Sequence, residues 1–399
     1  MGRNLKRRLT TAATLAAFLF CAWVAAPALS LAPYIPGAED FESSLPAPKR
    51  LAGAIAPGSL RSGDREHRAR WISPPVSAPD RFDLVGVADE MRPLEIRVRD
   101  AGGEWSDWVD QDDGTPIYVD GADDAQVRAS FRPRGRLHFV NVSGTSGSFA
   151  DRLLDDARES VNSAAISIAS TPVAEAVASK PLVVPRATWG ADLADGGCPP
   201  RGPAEYGSVN AAVVHHTVNA NDYSPEDAAG IVLGICRFHV NANGWNDIGY
   251  NALVDRYGTI YEGRAGGLKF PVVGAQAQGF NSETTSIASI GDHTSETIAK
   301  PARSAIVNFL AWKLKISLAT PANGSTVLTS GGGSQNRYPA GTPVTAPRIV
   351  GHGTLGLTEC PGTTLAPEVA KIAAGVQKRL KGRAARKKKK RKARRASGT

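Results

Sequence analysis

A histidine and a cysteine near the end of the chain have the chemistry of a zinc site. His352 and Cys360 lie in two glycine-containing segments, Gly351–Thr354 and Glu359–Gly362. The glycines and Pro361 predict a loop, in which two side chains can converge on one point. Imidazole nitrogen and thiolate sulfur are common zinc ligands. The spacing alone also fits a structural histidine beside an ordinary thiol, so a third ligand is needed.

Two further histidines end a short apolar segment. Ala211–Val214 predicts a buried strand, and His215 and His216 follow it directly. Successive side chains of a strand point to opposite faces, so only one of these histidines can join His352 and Cys360. Three protein ligands with an open fourth position form a catalytic zinc site, at which a bound water becomes a nucleophile near neutral pH. The residues alone leave open which histidine takes part.

The N-terminus predicts an exported protein. A basic stretch, Arg3–Arg8, precedes an apolar run that ends near Ala26, and small residues follow to Ala28. This pattern is typical of a signal peptide, here residues 1–28. The alternative is an uncleaved anchor, although the run is shorter than the roughly 20 residues that span a membrane. We expect the protein to be secreted or associated with the cell envelope.

The cysteine count adds to this interpretation. Removal of the signal leaves Cys198, Cys236 and Cys360. An oxidising compartment favours pairing of an even number of cysteines. We expect a disulfide between Cys198 and Cys236, which leaves the thiol of Cys360 available as a ligand.

The first half of the chain predicts a small all-β, sandwich-like domain. Residues 29–80 are rich in Ala, Pro, Ser and Arg and predict an extended lead-in. Apolar and polar residues alternate in Leu94–Arg99, as in a half-buried strand, and turn residues separate such segments over 81–143. Residues 144–180 have the composition of a linker.

The pattern changes to alternating strands and helices over residues 181–380. Ser224–Asp227 is a helix start, with a serine cap and an acidic residue three positions later. Apolar residues at helical spacing predict two further helices, around Ile306–Leu314 and Val369–Val376. An α/β domain follows, with a mixed central β-sheet flanked by helices.

Positive charge is concentrated at the C-terminus. The chain has a net charge of +9, and the last 22 residues contain 13 Lys and Arg and no acidic residue. We expect residues 381–399 to form a basic disordered tail. Anionic wall polymers or a membrane surface are its candidate partners, and a solubilising tail without a partner is the alternative. No sequence-specific nucleic acid is expected, because a polycation contacts phosphates without reading bases.

Five motifs together resemble one family, the zinc-dependent N-acetylmuramoyl-L-alanine amidases, which share a fold with peptidoglycan recognition proteins. The resemblance covers about residues 185–380. It implies a mixed sheet flanked by helices, with zinc in a surface groove. In chain order the motifs are Pro185–Ala191, Val214–Thr217, Gly244–Tyr250, Gly258–Arg264, and Gly351–His352 with Thr358–Gly362.

The resemblance also implies the roles of individual residues. It selects His215 rather than His216 as the first ligand of Zn²⁺, with His352 and Cys360 as the others. It places Tyr250 beside the zinc-bound water, where the phenol can hydrogen-bond to the water or to the developing oxyanion.

Further positions follow from the same resemblance. Thr358 matches a position near the metal that in relatives can help to polarise the scissile carbonyl. Gln276 stands where relatives often have histidine, and Gly353 stands where many have arginine; both positions lie near the groove wall in the family. The candidate groove residues are His216, Trp245, Arg264 and Gln276.

The function that the resemblance implies is hydrolysis of the amide between N-acetylmuramic acid and L-alanine in peptidoglycan. The alternative is a non-catalytic module that binds peptidoglycan without cutting it. Non-catalytic relatives typically lack the cysteine ligand, and the presence of Cys360 therefore favours the enzyme.

Overall fold

In a computed structural model of the chain, the described residues are 37–51, 69–88, 90, 92–100, 103–111, 114–144, 180–317 and 321–396. The expected signal peptide at residues 1–28 and most of the expected linker at 144–180 lie outside them. Among the described residues, no helix combines the length and apolar character needed to cross a membrane.

The described residues between 37 and 144, called the β region, form an antiparallel sheet of eight strands. The strand order is β1-β8-β4-β7-β3-β2, and β5 pairs with both β7 and β6. Leu94, Ile96 and Val98 are buried in its core, as their alternation predicts. The expected all-β region is therefore confirmed. Its strands are β1 (Glu39–Ser44), β2 (Lys49–Arg50), β3 (Trp71–Ile72), β4 (Val76–Val87), β5 (Leu94–Arg99), β6 (Val109–Gln111), β7 (Ile117–Ala129) and β8 (Arg136–Asn141).

The sheet begins earlier in the chain than the sequence predicted. Strand β1 pairs along its whole length with β8, from Glu39 opposite Asn141 to Ser44 opposite Arg136. Strands β1, β2, β3 and the start of β4 thus lie in 29–80, the segment expected to be an extended lead-in. The strand β1 was missed because it is a largely exposed edge strand whose residues show no alternation of apolar and polar types.

Residues 180–396, called the C-terminal region, contain a five-stranded mixed sheet in the order β11-β10-β12-β9-β15. Strands β10 and β11 are antiparallel, and the other neighbours are parallel. The predicted mixed sheet is confirmed. Its strands are β9 (Ala211–His216), β10 (Ala252–Val254), β11 (Ile260–Glu262), β12 (Thr284–Ser289) and β15 (Ile349–Gly351), and a separate hairpin consists of β13 (Ser325–Thr329) and β14 (Pro343–Pro347).

Helices cover both faces of this sheet. Helix α1 (Asp227–Arg237) continues into a π-helical turn (Phe238–Ala242), and it packs on one face through a cluster that includes Leu253 and Ala288. Helices α2 (Lys300–Ser317) and α3 (Glu368–Ala396) pack on the other face. The alternation of side chains along each strand supplies apolar groups to both layers.

The basic C-terminal segment is helical in the structure. Helix α3 continues without a break to Ala396, so the expectation of a disordered tail at residues 381–399 is wrong for the described part. The physical reason is composition, because Lys, Arg and Ala all have high helix propensity. The helix is also anchored at its start, where Ile372 and Val376 are buried against α2 and the sheet.

The two regions share a hydrophobic core. Leu84 and Val142 of the β region belong to the same buried cluster as Ile231, Ile235 and Phe238 of the C-terminal region. The β region is therefore packed directly on helix α1.

Candidate functional site

Parallel pairing of two strands brings His215 and His352 together. Val214 of β9 lies opposite Gly351, the last residue of β15. His215 directly follows Val214, and His352 directly follows Gly351. Their ring centroids are 4.6 Å apart, and both side chains are buried. The shared edge at the carboxyl ends of parallel strands thus positions two candidate ligands.

A tight loop returns Cys360 to the same point. The N–H of Gly353 donates to the carbonyl of Cys360 at 2.6 Å, which closes the loop. The Sγ atom of Cys360 lies 3.5 Å from Nδ1 of His215. A Cβ atom on Gly353 would lie 2.8 Å from the carbonyl oxygen of Thr358 and 3.0 Å from that of Cys360. This crowding leaves no space for a side chain at position 353.

One donor atom from each of His215, His352 and Cys360, called the ligand cluster below, lies within 4.8 Å of the other two. Two imidazoles and a thiol are a donor set that suits zinc. Burial, together with the neighbouring His352, holds the pKa of His215 well below its usual value. His215 is therefore neutral, as a metal ligand must be.

Two further cysteines of the C-terminal region are paired with each other. Cys198 and Cys236 form a disulfide, the pair expected from the sequence. Although they lie near Asp247 in a second group of potential donors, a disulfide has no thiolate to offer a metal. Cys360 keeps its thiol.

The side chain of Gln276 contacts Nε2 of His215 and determines which ring nitrogen of His215 faces the cluster. The hydroxyl of Thr284 donates to the carbonyl of Phe280 at 2.8 Å, so it accepts from Nε2 of Gln276 at 2.9 Å. The other end of the amide, Oε1, therefore accepts from Nε2 of His215 at 2.6 Å. This leaves Nδ1 of His215, the atom that faces Cys360, with its lone pair available. The sequence predicted a groove residue at Gln276 and missed this contact.

Tyr250 and Thr358 lie beside the cluster. The ring centroid of Tyr250 is 5.3 Å from that of His215. Its hydroxyl is 3.1 Å from Oγ1 of Thr115, a residue of the β region. The Oγ1 atom of Thr358 accepts the backbone N–H of Cys360 at 3.0 Å, which helps to fix the cysteine backbone.

His216 points away from the ligand cluster, as strand alternation requires. Its Nδ1 accepts the backbone N–H of His293 at 3.1 Å and lies 3.6 Å from a carboxylate oxygen of Asp292. These contacts hold the loop that follows β12.

Trp245 and Arg264 are half-buried and make structural contacts. Trp245 stacks on His239 with ring centroids 4.5 Å apart. Arg264 donates to the carbonyl of Val273 at 3.0 Å. Burial, with Arg264 nearby, lowers the pKa of His239 to about 3, so its ring is neutral and accepts the N–H of Gly249 at 3.2 Å.

Comparison with known proteins gives matches that include the residues of the ligand cluster. The N-acetylmuramoyl-L-alanine amidase family matches residues 205–363. Peptidoglycan-recognition protein SC2 of Drosophila melanogaster is 29% identical over 163 residues, 40% of this chain and 72% of that protein. Peptidoglycan-recognition protein LB of the same organism is 30% identical over 186 residues, 46% of this chain and 66% of that protein.

Two solved structures are also similar. Drosophila PGRP-LB has 27% sequence identity and a TM-score of 0.36, and the match covers 47% of this chain and 92% of that chain. The endolysin N-acetylmuramoyl-L-alanine amidase LysCS from Clostridium intestinale has 21% identity and a TM-score of 0.32, with 47% and 91% covered.

Proposed function

We propose that this chain is a zinc-dependent hydrolase of peptidoglycan, because residues 205–363 match the N-acetylmuramoyl-L-alanine amidase family. The proposed bond is the amide between N-acetylmuramic acid and L-alanine. The observation that carries the proposal is the ligand cluster, in which a cysteine that keeps its thiol lies beside two buried histidines.

The proposed ligands are His215, His352 and Cys360. A zinc ion held by these residues would lower the pKa of a coordinated water to about 7 and would act as a Lewis acid toward a carbonyl. With Zn²⁺ bound, two neutral imidazoles and one thiolate would leave the site with a net positive charge, which would favour an anionic transition state.

The surrounding residues have supporting roles in this proposal. Gln276 orients His215 by accepting the Nε2–H of His215 at its Oε1, and Thr358 orients the backbone of Cys360. Tyr250 carries the phenol nearest to His215, and we assign to it a hydrogen bond to the oxyanion of the tetrahedral intermediate. His216, Trp245 and Arg264 make contacts outside the ligand cluster and are proposed to shape the groove.

The substrate and the location follow from the family and from the sequence. The relatives are named for peptidoglycan recognition, and the family is named for the amidase reaction. The predicted signal peptide at residues 1–28 would deliver the enzyme to the wall. We also propose that the basic segment 381–399 holds it near anionic wall polymers or the membrane surface.

The test uses the chain from residue 29, zinc analysis and labelled peptidoglycan. We expect one zinc per chain, and products with a new N-terminal L-alanine identified by mass spectrometry. Chelation should abolish the release of product, and added zinc should restore it. His215→Ala and Cys360→Ser should each lose zinc, whereas the matched control His216→Ala should retain it.

Other outcomes would decide against parts of the proposal. If Cys360→Ser retains zinc and hydrolyses as fast as the wild type, the assigned ligand set is wrong. If the products carry new reducing sugar ends instead, the bond assignment is wrong. Binding of peptidoglycan with no cleavage by any variant would instead identify a non-catalytic recognition module.

A further inference from the structure

A segment of the β region packs against Tyr250, whose ring lies beside His215 of the ligand cluster. This segment, Gly114–Tyr118, is called the covering segment, and all five of its residues are buried. Besides the contact between Thr115 and Tyr250, its ends are fixed to the C-terminal region. Asn243 donates to the carbonyl of Gly114 at 2.6 Å, and the N–H of Ala220 donates to the carbonyl of Tyr118 at 3.3 Å.

The candidate catalytic groups are correspondingly inaccessible. His215 is 1% exposed, His352 4%, Cys360 5% and Tyr250 6%. A peptidoglycan amide belongs to a crosslinked polymer, so the site has to admit a bulky sugar and a peptide on either side of the bond. With so little of these side chains exposed, the observed arrangement gives such a substrate poor access to them.

Close packing holds the β region in this position. A Cβ atom on Gly234 of helix α1 would lie 2.4 Å from Cδ1 of Leu84 and 3.1 Å from Cγ1 of Val142. Likewise, a Cβ atom on Gly86 of β4 would lie 2.5 Å from the ring of Phe238. The glycines therefore allow strand β4 and helix α1 to approach closely.

A bidentate ion pair adds a polar fastening at the edge of the same interface. Asp40 of β1 accepts from Nε and Nη2 of Arg237 at 2.9 and 3.0 Å. Both side chains are largely buried. Because Arg237 ends helix α1, this pair ties the first strand of the β region to the same helix.

We propose that the β region is an autoinhibitory cover, and that the enzyme hydrolyses its polymer only when this region moves away from helix α1. This inference rests on the proposed function for its substrate, but the closed arrangement itself can be measured without hydrolysis. The closed and open forms are two states of one chain, so weakening the interface should increase the open population.

The first test is a substitution of Gly234 that should weaken the packing between helix α1 and the β region. Gly234→Leu places a side chain where Leu84 and Val142 now lie, while remaining compatible with a helix. The matched control is Gly230→Ala, one helical turn earlier. Its Cβ would lie 3.4 Å from Cγ2 of Val142, an ordinary contact distance.

The second test removes the ion pair. Asp40→Ala deletes the partner of Arg237 without changing the apolar packing. Its control is Glu42→Ala on the same strand, because Glu42 pairs with Arg136 and His138 within the β region. The two opening variants change different atoms of the interface. If circular dichroism shows that one of them does not fold, the other still tests the proposal.

Two measurements distinguish access to the site from hydrolysis of the substrate. Alkylation of Cys360 by iodoacetamide after zinc removal reports access to the site, and release of labelled peptide by the zinc-loaded chain reports hydrolysis. In each opening variant we expect both rates to rise by about tenfold or more, which corresponds to ~1.4 kcal/mol lost by the closed form. Both controls should match the wild type.

If Cys360 is alkylated equally fast in the wild type and in both folded opening variants, there is no cover. If hydrolysis falls in the opening variants, the β region assists catalysis and the proposal is overturned. Faster alkylation with no hydrolysis in any variant would support the cover and contradict the amidase function instead.

Discussion

The hydrogen bond between Gln276 and His215 determines how the first candidate ligand presents its ring. An imidazole has two nitrogens, and only the one without a proton can bind a metal. The hydrogen bonds that link Phe280, Thr284 and Gln276 make Oε1 of Gln276 an acceptor. The proton of His215 is therefore kept on its Nε2. Loss of such a partner of a metal ligand typically lowers metal affinity by about 10- to 100-fold.

Replacing Gln276 therefore tests the role of a residue that does not itself touch the proposed metal. Gln276→Ala removes the acceptor and leaves His215 able to turn or change tautomer. We expect zinc affinity to fall by about 10- to 100-fold, measured by competition with a chelator of known affinity.

Gln278→Ala is the control for this change, since the side chain of Gln278 accepts the backbone N–H of Gln335 instead. Equal zinc affinity in Gln276→Ala and the wild type would mean that the hydrogen bond does not orient His215.

Sequence reasoning predicted the three cluster residues because each is chemically distinctive and lies in a recognisable motif. The role of Gln276 was not predictable in the same way. It depends on which end of an amide faces His215, and that is decided by Thr284 and Phe280 through tertiary contacts. No local pattern around Gln276 encodes those contacts.

At the scale of elements, the loop from His352 to Cys360 has a strict geometric requirement. Its closure by Gly353 brings the third ligand to the first two, and no side chain fits at that glycine without displacing a carbonyl. The identity of residue 353 therefore controls the position of Cys360, although its own atoms contribute no ligand.

Gly353→Ala tests this requirement. The added methyl group would overlap two carbonyl oxygens, at 2.8 and 3.0 Å. We expect a loss of about 1–3 kcal/mol in the free energy of unfolding, as is usual for overpacking. Zinc content after dialysis should also fall, because Cys360 is displaced.

Gly382→Ala provides the comparison, because no atom lies within 4 Å of its added Cβ. In helix α3 this change should be neutral or slightly stabilising. A Gly353→Ala protein with wild-type stability and full zinc content would show that the loop tolerates a side chain.

At the scale of the whole molecule, the sequence predicted two regions but not how they pack. Residues of β4 and α1 that meet, such as Leu84 and Gly234, are far apart in the chain, and neither segment carries a signal that identifies the other. The lack of a side chain at Gly234 allows the β region to approach helix α1, and this role depends on residues distant in the chain. The covering segment was likewise expected to be part of an independent domain.

The closed arrangement also places like charges together. Asp110 of β6 has its pKa raised to about 7, first by burial and then by Glu95, Asp292 and Glu359, while Arg128 acts in the opposite direction. Asp292 and Glu359 belong to the C-terminal region, so part of this repulsion acts between the two regions. Ionisation of Asp110 therefore opposes the closed form.

The pH dependence of stability follows from the sign of this shift. A carboxyl group whose pKa is raised by folding from 3.8 to about 7 favours the folded form most below pH 3.8. That contribution is lost as the pH rises through about 7. Relative to Asp110→Asn, the wild type should therefore become progressively less stable between about pH 4 and pH 8.

Thermal unfolding of both proteins over this range measures the difference. Asp107→Asn, at an exposed residue three positions earlier, controls for the loss of one negative charge. We expect the curve of Asp107→Asn to follow the wild type, and that of Asp110→Asn to be flatter. If all three proteins show the same pH dependence, Asp110 is ionised at no cost in the closed form. The repulsion between the two regions would then play no part in releasing the cover.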